Sequence, residues 1–375
     1  MSSSFSTKVV HFSNNKSAIK SKTTPIYQTS AFAFRDLEDL ESFFQGETNY
    51  LYSRVGNPNT DELGHAVATL EGAPAGVAAS SGLSAILAGI LSVVQHGEHL
   101  IAADDIYGGT YHLLAEELKT FGISVSFVSF ANKSEIEKAI QPETKLIYTE
   151  SITNPLLRVE DISEIVSLAK VHNLVTMVDN TFATPFLCQP YNEGVDLVVH
   201  SATKYIGGHS DVTAGVLVGN ENFITLAKQK VTNLGTNLSP FEAWLTCRGL
   251  KTLGLRMERQ VNNAQKLAEA LSELEGVKKV YYPSTVSEKG NGAIVTIELA
   301  ESKDISTFFK SLSWVKIIPS LAGVETTVSY PLGTSHRALP AETCENLGIT
   351  KGLVRISVGI EDIEDIIQVF AEAIK

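Results

Sequence analysis

The chain has 375 residues, 43% of them hydrophobic, which is enough to bury a large core and allows two domains. Thirty basic residues against 42 acidic ones give a formal net charge of −12, which argues against the phosphate-tracking electrostatics of a nucleic-acid binder. Three widely spaced cysteines (Cys188, Cys247 and Cys344) form neither a disulfide framework nor a metal-binding pair, and neither a signal-like apolar core at the N-terminus nor a bilayer-length apolar run is present, so a soluble protein of a reducing cytoplasm is expected.

In chain order, residues 1–60 are polar and irregular, broken at Thr24-Pro25 and Asn57-Pro58, and read as an arm. Ser80-Ser81-Gly82-Leu83 then opens an apolar helix-like stretch. Buried strands are predicted over 99–103, 125–130, 145–149, 174–178 and 195–199, with amphipathic helices over 110–120 and 162–171. This alternation predicts a mostly parallel α/β sheet over 61–250, covered by helices. A helix near 256–274, strands over 293–299 and 354–358 and a final helix over 361–374 predict a smaller α+β domain over 251–375. No internal repeat or low-complexity linker interrupts the chain.

Ligands of open α/β sheets bind beyond the carboxyl ends of the strands, and Tyr107, Asn154, Asp179 and Lys204 all fall just after strand-like runs. An isolated lysine there is ordinarily solvated. Lys204, however, is flanked by the hydroxyls of Ser201 and Thr203 and followed by Gly207-Gly208, a setting suited to an imine-forming amine beside a phosphate. Asp179 ends an apolar run, and a buried carboxylate needs a cationic partner, which a pyridinium would supply. Ser81-Gly82-Leu83 at a helix start would present free N–H groups to an anion, although serine there is also an ordinary cap. Tyr107 and Asn154 have equally plain alternatives as a packed aromatic and a turn residue. His200, His209 and Asp211 cluster, but their spacing matches no zinc pattern and no metal is expected.

Tyr52-Ser53-Arg54-Val55-Gly56-Asn57-Pro58, Ser81-Gly82, Tyr107-Gly108-Gly109-Thr110, Thr153-Asn154-Pro155, Val178-Asp179-Asn180-Thr181, Ser201-Ala202-Thr203-Lys204, Arg248 to Thr252 and Val354 to Glu361 occur in that order. Together they resemble the blocks of the Cys/Met-metabolism pyridoxal phosphate enzymes, the family of cystathionine γ-synthases, cystathionine lyases and methionine γ-lyases. The resemblance covers nearly the whole chain and is weakest over the first twenty residues. It implies fold type I of the pyridoxal phosphate-dependent transferases (aminotransferase-like) and usually a homotetramer of two dimers with sites shared between subunits.

The same resemblance assigns roles. Lys204 would carry pyridoxal 5'-phosphate as a Schiff base and move the substrate's Cα proton, and Tyr107 would stack on the ring and take part in proton transfer. Asp179 would face the pyridine nitrogen and Asn154 the 3′-oxygen. Ser81, the amides of Gly82 and Leu83, and the hydroxyls of Ser201 and Thr203 would hold the phosphate, joined by Tyr52 and Arg54 from the neighbouring subunit. Many members carry methionine where Leu83 stands, a change that spares a backbone contact. Arg355 would clamp the substrate carboxylate with Ser320, Asn154 and Tyr107 nearby. The loop Ser320-Leu321-Ala322-Gly323-Val324-Glu325 has Ala322 where the family has glycine.

Three positions bear on the substrate. Leu51 stands where several γ-synthases and γ-lyases carry an acid, His112 where many have arginine, and Gly109 where typical methionine γ-lyases carry a reactive cysteine. The resemblance therefore implies a carbon–sulfur lyase acting on a small sulfur amino acid, with β-elimination of cystathionine ahead of γ-elimination. A γ-synthase using O-acylhomoserine and cysteine, a methionine γ-lyase, a silent cofactor-binding protein and an unrelated α/β domain remain open at this point.

Overall fold

A computed structural model describes residues 4–13, 20–47, 50–337 and 341–375. Seven strands form the first sheet: β1 (Ala75–Ala79), β2 (His99–Ala103), β3 (Ser124–Val128), β4 (Thr144–Glu150), β5 (Val175–Asp179), β6 (Leu197–His200) and β7 (Gly215–Gly219), in the order β1-β7-β6-β5-β4-β2-β3. From β6 to β3 every neighbour is parallel, and β7 runs antiparallel to both β6 and β1. Parallel strands covered on both faces read as continuous apolar runs, while successive side chains still point to opposite faces. Met177, Leu197, Val199 and Leu217 accordingly join one core cluster, and Val178, Val198, Val216 and Val218 the other.

The second sheet has five strands: β8 (Val277–Tyr281), β9 (Ile294–Leu299), β10 (Lys316–Ile317), β11 (Thr327–Ser329) and β12 (Leu353–Ser357), in the order β10-β11-β12-β9-β8. Helices Leu253–Ser272 and Ile363–Ile374 cover it, closing a third core over Leu267, Leu271, Val295, Ile297, Ile356 and Phe370.

Two expectations need correction. Ala75–Ala79 and Gly215–Gly219 are strands that apolar patterning did not reveal: the first is mostly alanine and glycine, which have low strand propensity, and the second offers only the three-residue apolar run Val216-Leu217-Val218, so that pairing with each other and with β6 defines them. The arm is not wholly irregular. Helix Leu37–Phe44 forms within it, capped by the Asp36 side chain, which accepts from the Asp39 N–H at 2.7 Å, and carrying Glu38 and Asp39 in its first turn. Among the described residues no helix is long and apolar enough to cross a membrane.

Candidate active site

One cavity collects the carboxyl ends of the parallel strands, the start of helix Gly82–Val93 and a face of the second sheet. It is lined by Ser81, Gly82, Leu83, Tyr107, Asn154, Asp179, Ser201, Thr203, Lys204, Ser320 and Arg355, so eleven of the thirteen residues singled out by sequence meet in it. Tyr52 and Arg54 do not. Within their own chain they lie elsewhere, with Arg54 Nη1 donating to the Thr232 carbonyl at 3.1 Å and its guanidinium 5.6 Å from the Tyr52 ring centre.

Lys204 follows β6, and its Nζ donates to Ser320 Oγ at 2.7 Å. Burial, and then the positive field of Arg355, lower its ammonium to about 8. An amine near neutrality at physiological pH can act both as nucleophile and as base. The loop beyond it is fastened by Arg256, a buried guanidinium that donates to the carbonyls of Tyr205 at 2.7 Å and Gly249 at 2.9 Å and to Thr252 Oγ1 at 3.1 Å. It has no carboxylate partner among the described residues, and burial lowers it to about 10.

Asp179, at the end of β5, accepts from the Thr181 N–H at 2.9 Å. Burial raises its carboxyl above the ordinary value, offset by the Thr181 hydrogen bonds and His200. No protein cation pairs with it among the described residues, so the cavity offers a carboxylate to an incoming positive group.

Across the cavity, the helix beginning at Gly82 leaves the N–H groups of Gly82 and Leu83 outside its own ladder, while Ser81 Oγ accepts from the Ser84 N–H at 3.1 Å and Ser81 O from the Ala85 N–H. Ser81 thus spends its hydroxyl on the helix cap. Gly82 is required by packing, since a Cβ there would sit 2.8 Å from Ser201 Cβ. Thr203 Oγ1 exchanges hydrogen bonds with the backbone of Ala214, donating at 3.1 Å and accepting at 2.9 Å, which aims its segment rather than leaving the hydroxyl idle. Free amides, a helix dipole and the Ser201 hydroxyl make this end suited to a phosphate-like anion.

Arg355 lies on β12, only 3% exposed, where it donates through Nη1 to Asn154 Oδ1 at 3.0 Å and through Nη2 to the Ser320 carbonyl at 3.5 Å. Its Nε has no partner, and burial lowers the guanidinium to about 10. A buried cation with a spare donor and, among the described residues, no carboxylate partner is suited to a bound anion. Below it, Ala322 adopts a left-handed φ of 72°, the conformation for which the family's glycine is suited. Its N–H donates to Ser357 Oγ at 2.7 Å, and Gln260 Nε2 holds the Gly323 carbonyl at 2.9 Å.

Tyr107 is the most exposed member of the group, and its ring has room because position 109 is glycine: a Cβ there would come within 2.5 Å of ring Cε1. His112 is exposed, 4.0 Å from Glu117, and neither it nor Leu51 lines the cavity.

Sequence reading missed several residues. Glu150, at the end of β4, lines the cavity and accepts from the Tyr107 N–H at 2.7 Å. Thr181 Oγ1 accepts from the Ser201 N–H at 2.8 Å, joining two strand ends. Behind them Glu71 Oε1 lies 2.8 Å from both His200 Nε2 and Asn180 Nδ2, a fully buried tie between the ends of β5 and β6. The partner of His200 is therefore a carboxylate, and His209 Nδ1 donates to the Gly207 carbonyl at 2.8 Å. Among the described residues no three His, Cys, Asp or Glu side chains are grouped to hold a metal. An acid closing an apolar run was the available signal for Glu150, the same signal that picked out Asp179.

The Cys/Met metabolism PLP-dependent enzyme family matches the chain over residues 6–375. A cystathionine β-lyase of Lactococcus lactis subsp. cremoris is 41% identical over 385 residues, covering 99% of each chain. A cystathionine γ-lyase of Bacillus subtilis is 39% identical over 364 residues, covering 94% of each. The crystal structure of a cystathionine γ-lyase from Lactobacillus plantarum, complexed with L-serine, superposes with a TM-score of 0.92 at 35% identity, covering 99% of this chain and 98% of that one. The fold is thus the expected fold type I. With a match of this length, the chain belongs to the Cys/Met metabolism PLP-dependent enzyme family.

Proposed function

We propose that the protein is a pyridoxal phosphate-dependent carbon–sulfur lyase that cleaves cystathionine by β-elimination. The observation that carries the reading is the pairing, in one cavity, of a lysine amine lowered to about 8 with a buried arginine that has no carboxylate partner among the described residues. The first suits covalent capture of the cofactor and proton transfer at Cα; the second suits an amino-acid carboxylate.

The residues present fit the cofactor, since the unpaired carboxylate of Asp179 suits a pyridinium and the free amides of Gly82 and Leu83 suit a phosphate. When bound, pyridoxal phosphate supplies an electron sink for the pair left on Cα. In this reading Lys204 would hold it through its amine and take the Cα proton, and Tyr107, on the cavity wall, would face its ring and assist proton transfer. Ser201 and Thr203 add to the phosphate end, with Ser81 contributing through the helix cap it forms. Arg355, with Asn154 and Ser320, fixes the carboxylate and so orients the Cα–H bond. A thiolate then leaves Cβ.

Residues 1–60 act as an arm that brings Tyr52 and Arg54 to a neighbouring subunit's phosphate end, 61–250 form the large domain and 251–375 the small one. Their exposed position away from the cavity of their own chain supports this sharing, and a homotetramer of two dimers is the assembly we propose. Three free cysteines suit a cytoplasmic location.

Similarity to the Lactococcus enzyme and the lack of an acid at Leu51 favour β- over γ-elimination. Gly109, in contact distance of the Tyr107 ring, argues against a methionine γ-lyase, because a side chain there would displace that ring. Incubation with L-cystathionine tests the reading: homocysteine, pyruvate and ammonia are expected. Cysteine with 2-oxobutyrate would make it a γ-lyase, and cystathionine formed from O-acylhomoserine and cysteine, without cleavage, would make it a γ-synthase.

A further inference from the structure

Glu150 and Asp179 are partners in the parallel register of β4 and β5, so two carboxyls end adjacent strands and line the same cavity. Strands lie about 4.8 Å apart, and two like charges at that range with little water between them do not both ionise cheaply. Asp179 has compensation from the Thr181 N–H and hydroxyl and from His200. Glu150 has much less. It is 6% exposed, and its surroundings are mostly acidic: Asp179 from β5, Asp105 beyond β2 and Glu160 from the segment before helix Ile162–His172. The nearby cation, Arg158, is committed to Asp105 at 2.6 Å and Glu160 at 2.8 Å. Lys204, also on the cavity wall, donates its hydrogen bond to Ser320 Oγ. What Glu150 does hold is the backbone of Tyr107, whose N–H donates to Oε1 at 2.7 Å.

We propose that Glu150 is a positioning residue for Tyr107 that works as a neutral carboxylic acid, leaving Asp179 as the single negative charge at this edge of the cavity. The proposal rests on the cofactor reading given above. Burial and then the field of Asp179 push the Glu150 carboxyl well above the usual glutamate range, against the pull of the Tyr107 amide. In neutral form one oxygen accepts from Tyr107 and the other carries a proton, a pattern that a glutamine side chain reproduces and an ionised glutamate does not. The carboxyl thereby ties the stacking tyrosine to the strand next to the one that faces the cofactor nitrogen, without adding a second anion.

The test compares Glu150→Gln and Glu150→Ala with the unmodified holoenzyme, reading the pH midpoint of the absorbance of the lysine–cofactor linkage and the affinity of the cofactor-free protein for pyridoxal phosphate. Glu150→Gln is expected to keep the midpoint within about 0.3 pH unit. Glu150→Ala, which leaves the Tyr107 N–H without its acceptor, is expected to weaken cofactor affinity about tenfold. A Glu150→Gln midpoint lowered by about one unit or more would overturn the proposal, since that is the response to deleting a negative charge beside a protonated imine. Cofactor affinity untouched in Glu150→Ala would overturn the positioning role. If the alanine variant does not fold, the glutamine variant decides alone. These readouts need no sulfur substrate, so a wrong choice of lyase reaction leaves them intact, whereas absence of the linkage band in the unmodified protein would overturn the cofactor reading itself.

Discussion

Lys204 Nζ donates to Ser320 Oγ at 2.7 Å, joining the lysine beyond β6 to a loop 116 residues further along the chain. The hydroxyl stabilises the charged amine, while burial and Arg355 oppose it. In the cofactor-free protein, capture of pyridoxal phosphate should quicken as pH rises to about 8 and then level off, followed by absorbance. Ser320→Ala should move that midpoint downward. A midpoint near the ordinary lysine value would contradict the burial argument. The stability sign follows from the same shift: between about 8 and the model-peptide value of 10.5 the unfolded chain binds more protons, so the cofactor-free fold should gain stability as pH rises through that window.

Arg355→Ala should reduce kcat/KM for the amino-acid substrate by about 10- to 150-fold, the equivalent of a charge-assisted contact of about 1.5–3 kcal/mol. Absorbance of the bound cofactor should persist. Loss of cofactor with normal binding of substrate analogues would reverse the assignment.

Ala322 sits at a left-handed φ of 72° and is 1% exposed. Ala322→Gly should remove a backbone cost of about 1–2 kcal/mol, partly offset by the greater freedom of glycine in the unfolded chain at about 0.4–1 kcal/mol. A small rise in Tm is expected by calorimetry, and a clear fall in Ala322→Val, whose branched side chain fits neither the conformation nor the space. A Tm lowered by glycine would show that the loop gains from the alanine methyl.

If sites are shared between subunits, inactive Arg54→Ala and inactive Lys204→Ala should restore some activity when mixed and allowed to exchange, because a hybrid dimer contains one site with both residues intact. Verified hybrids no more active than either parent would exclude sharing.

Much of the cavity lining was legible because a parallel sheet brings together the residues at which its apolar runs stop. Asp179, Tyr107 and Lys204 each follow such a run, and the strand limits differ from expectation by only a residue or two. Ala75–Ala79, built of small residues, and Gly215–Gly219, with an apolar run of only three residues, were not legible, since such short strands are defined by their neighbours. Glu71, Gln260 and Arg256 escaped for a related reason. Each sits on a helix in a position that periodicity reads as ordinary, and its importance comes from carbonyls or side chains brought near by the fold. Leu37, Leu40, Phe43 and Phe44 at helical spacing after Asp36 could have revealed the arm's helix.

Arg256, which fastens the loop bearing Lys204, stands 51 residues beyond the Tyr205 carbonyl it holds. Translation runs from the N-terminus, so all seven strands of the first sheet are made before their lysine loop can be tied down. Ser320 and Arg355 emerge later still. A growing chain therefore carries the Lys204 amine long before the hydroxyl that holds it and the guanidinium that shares its cavity have been made. Chains cut short before Arg355 would carry the Lys204 amine without the guanidinium whose positive field acts on it.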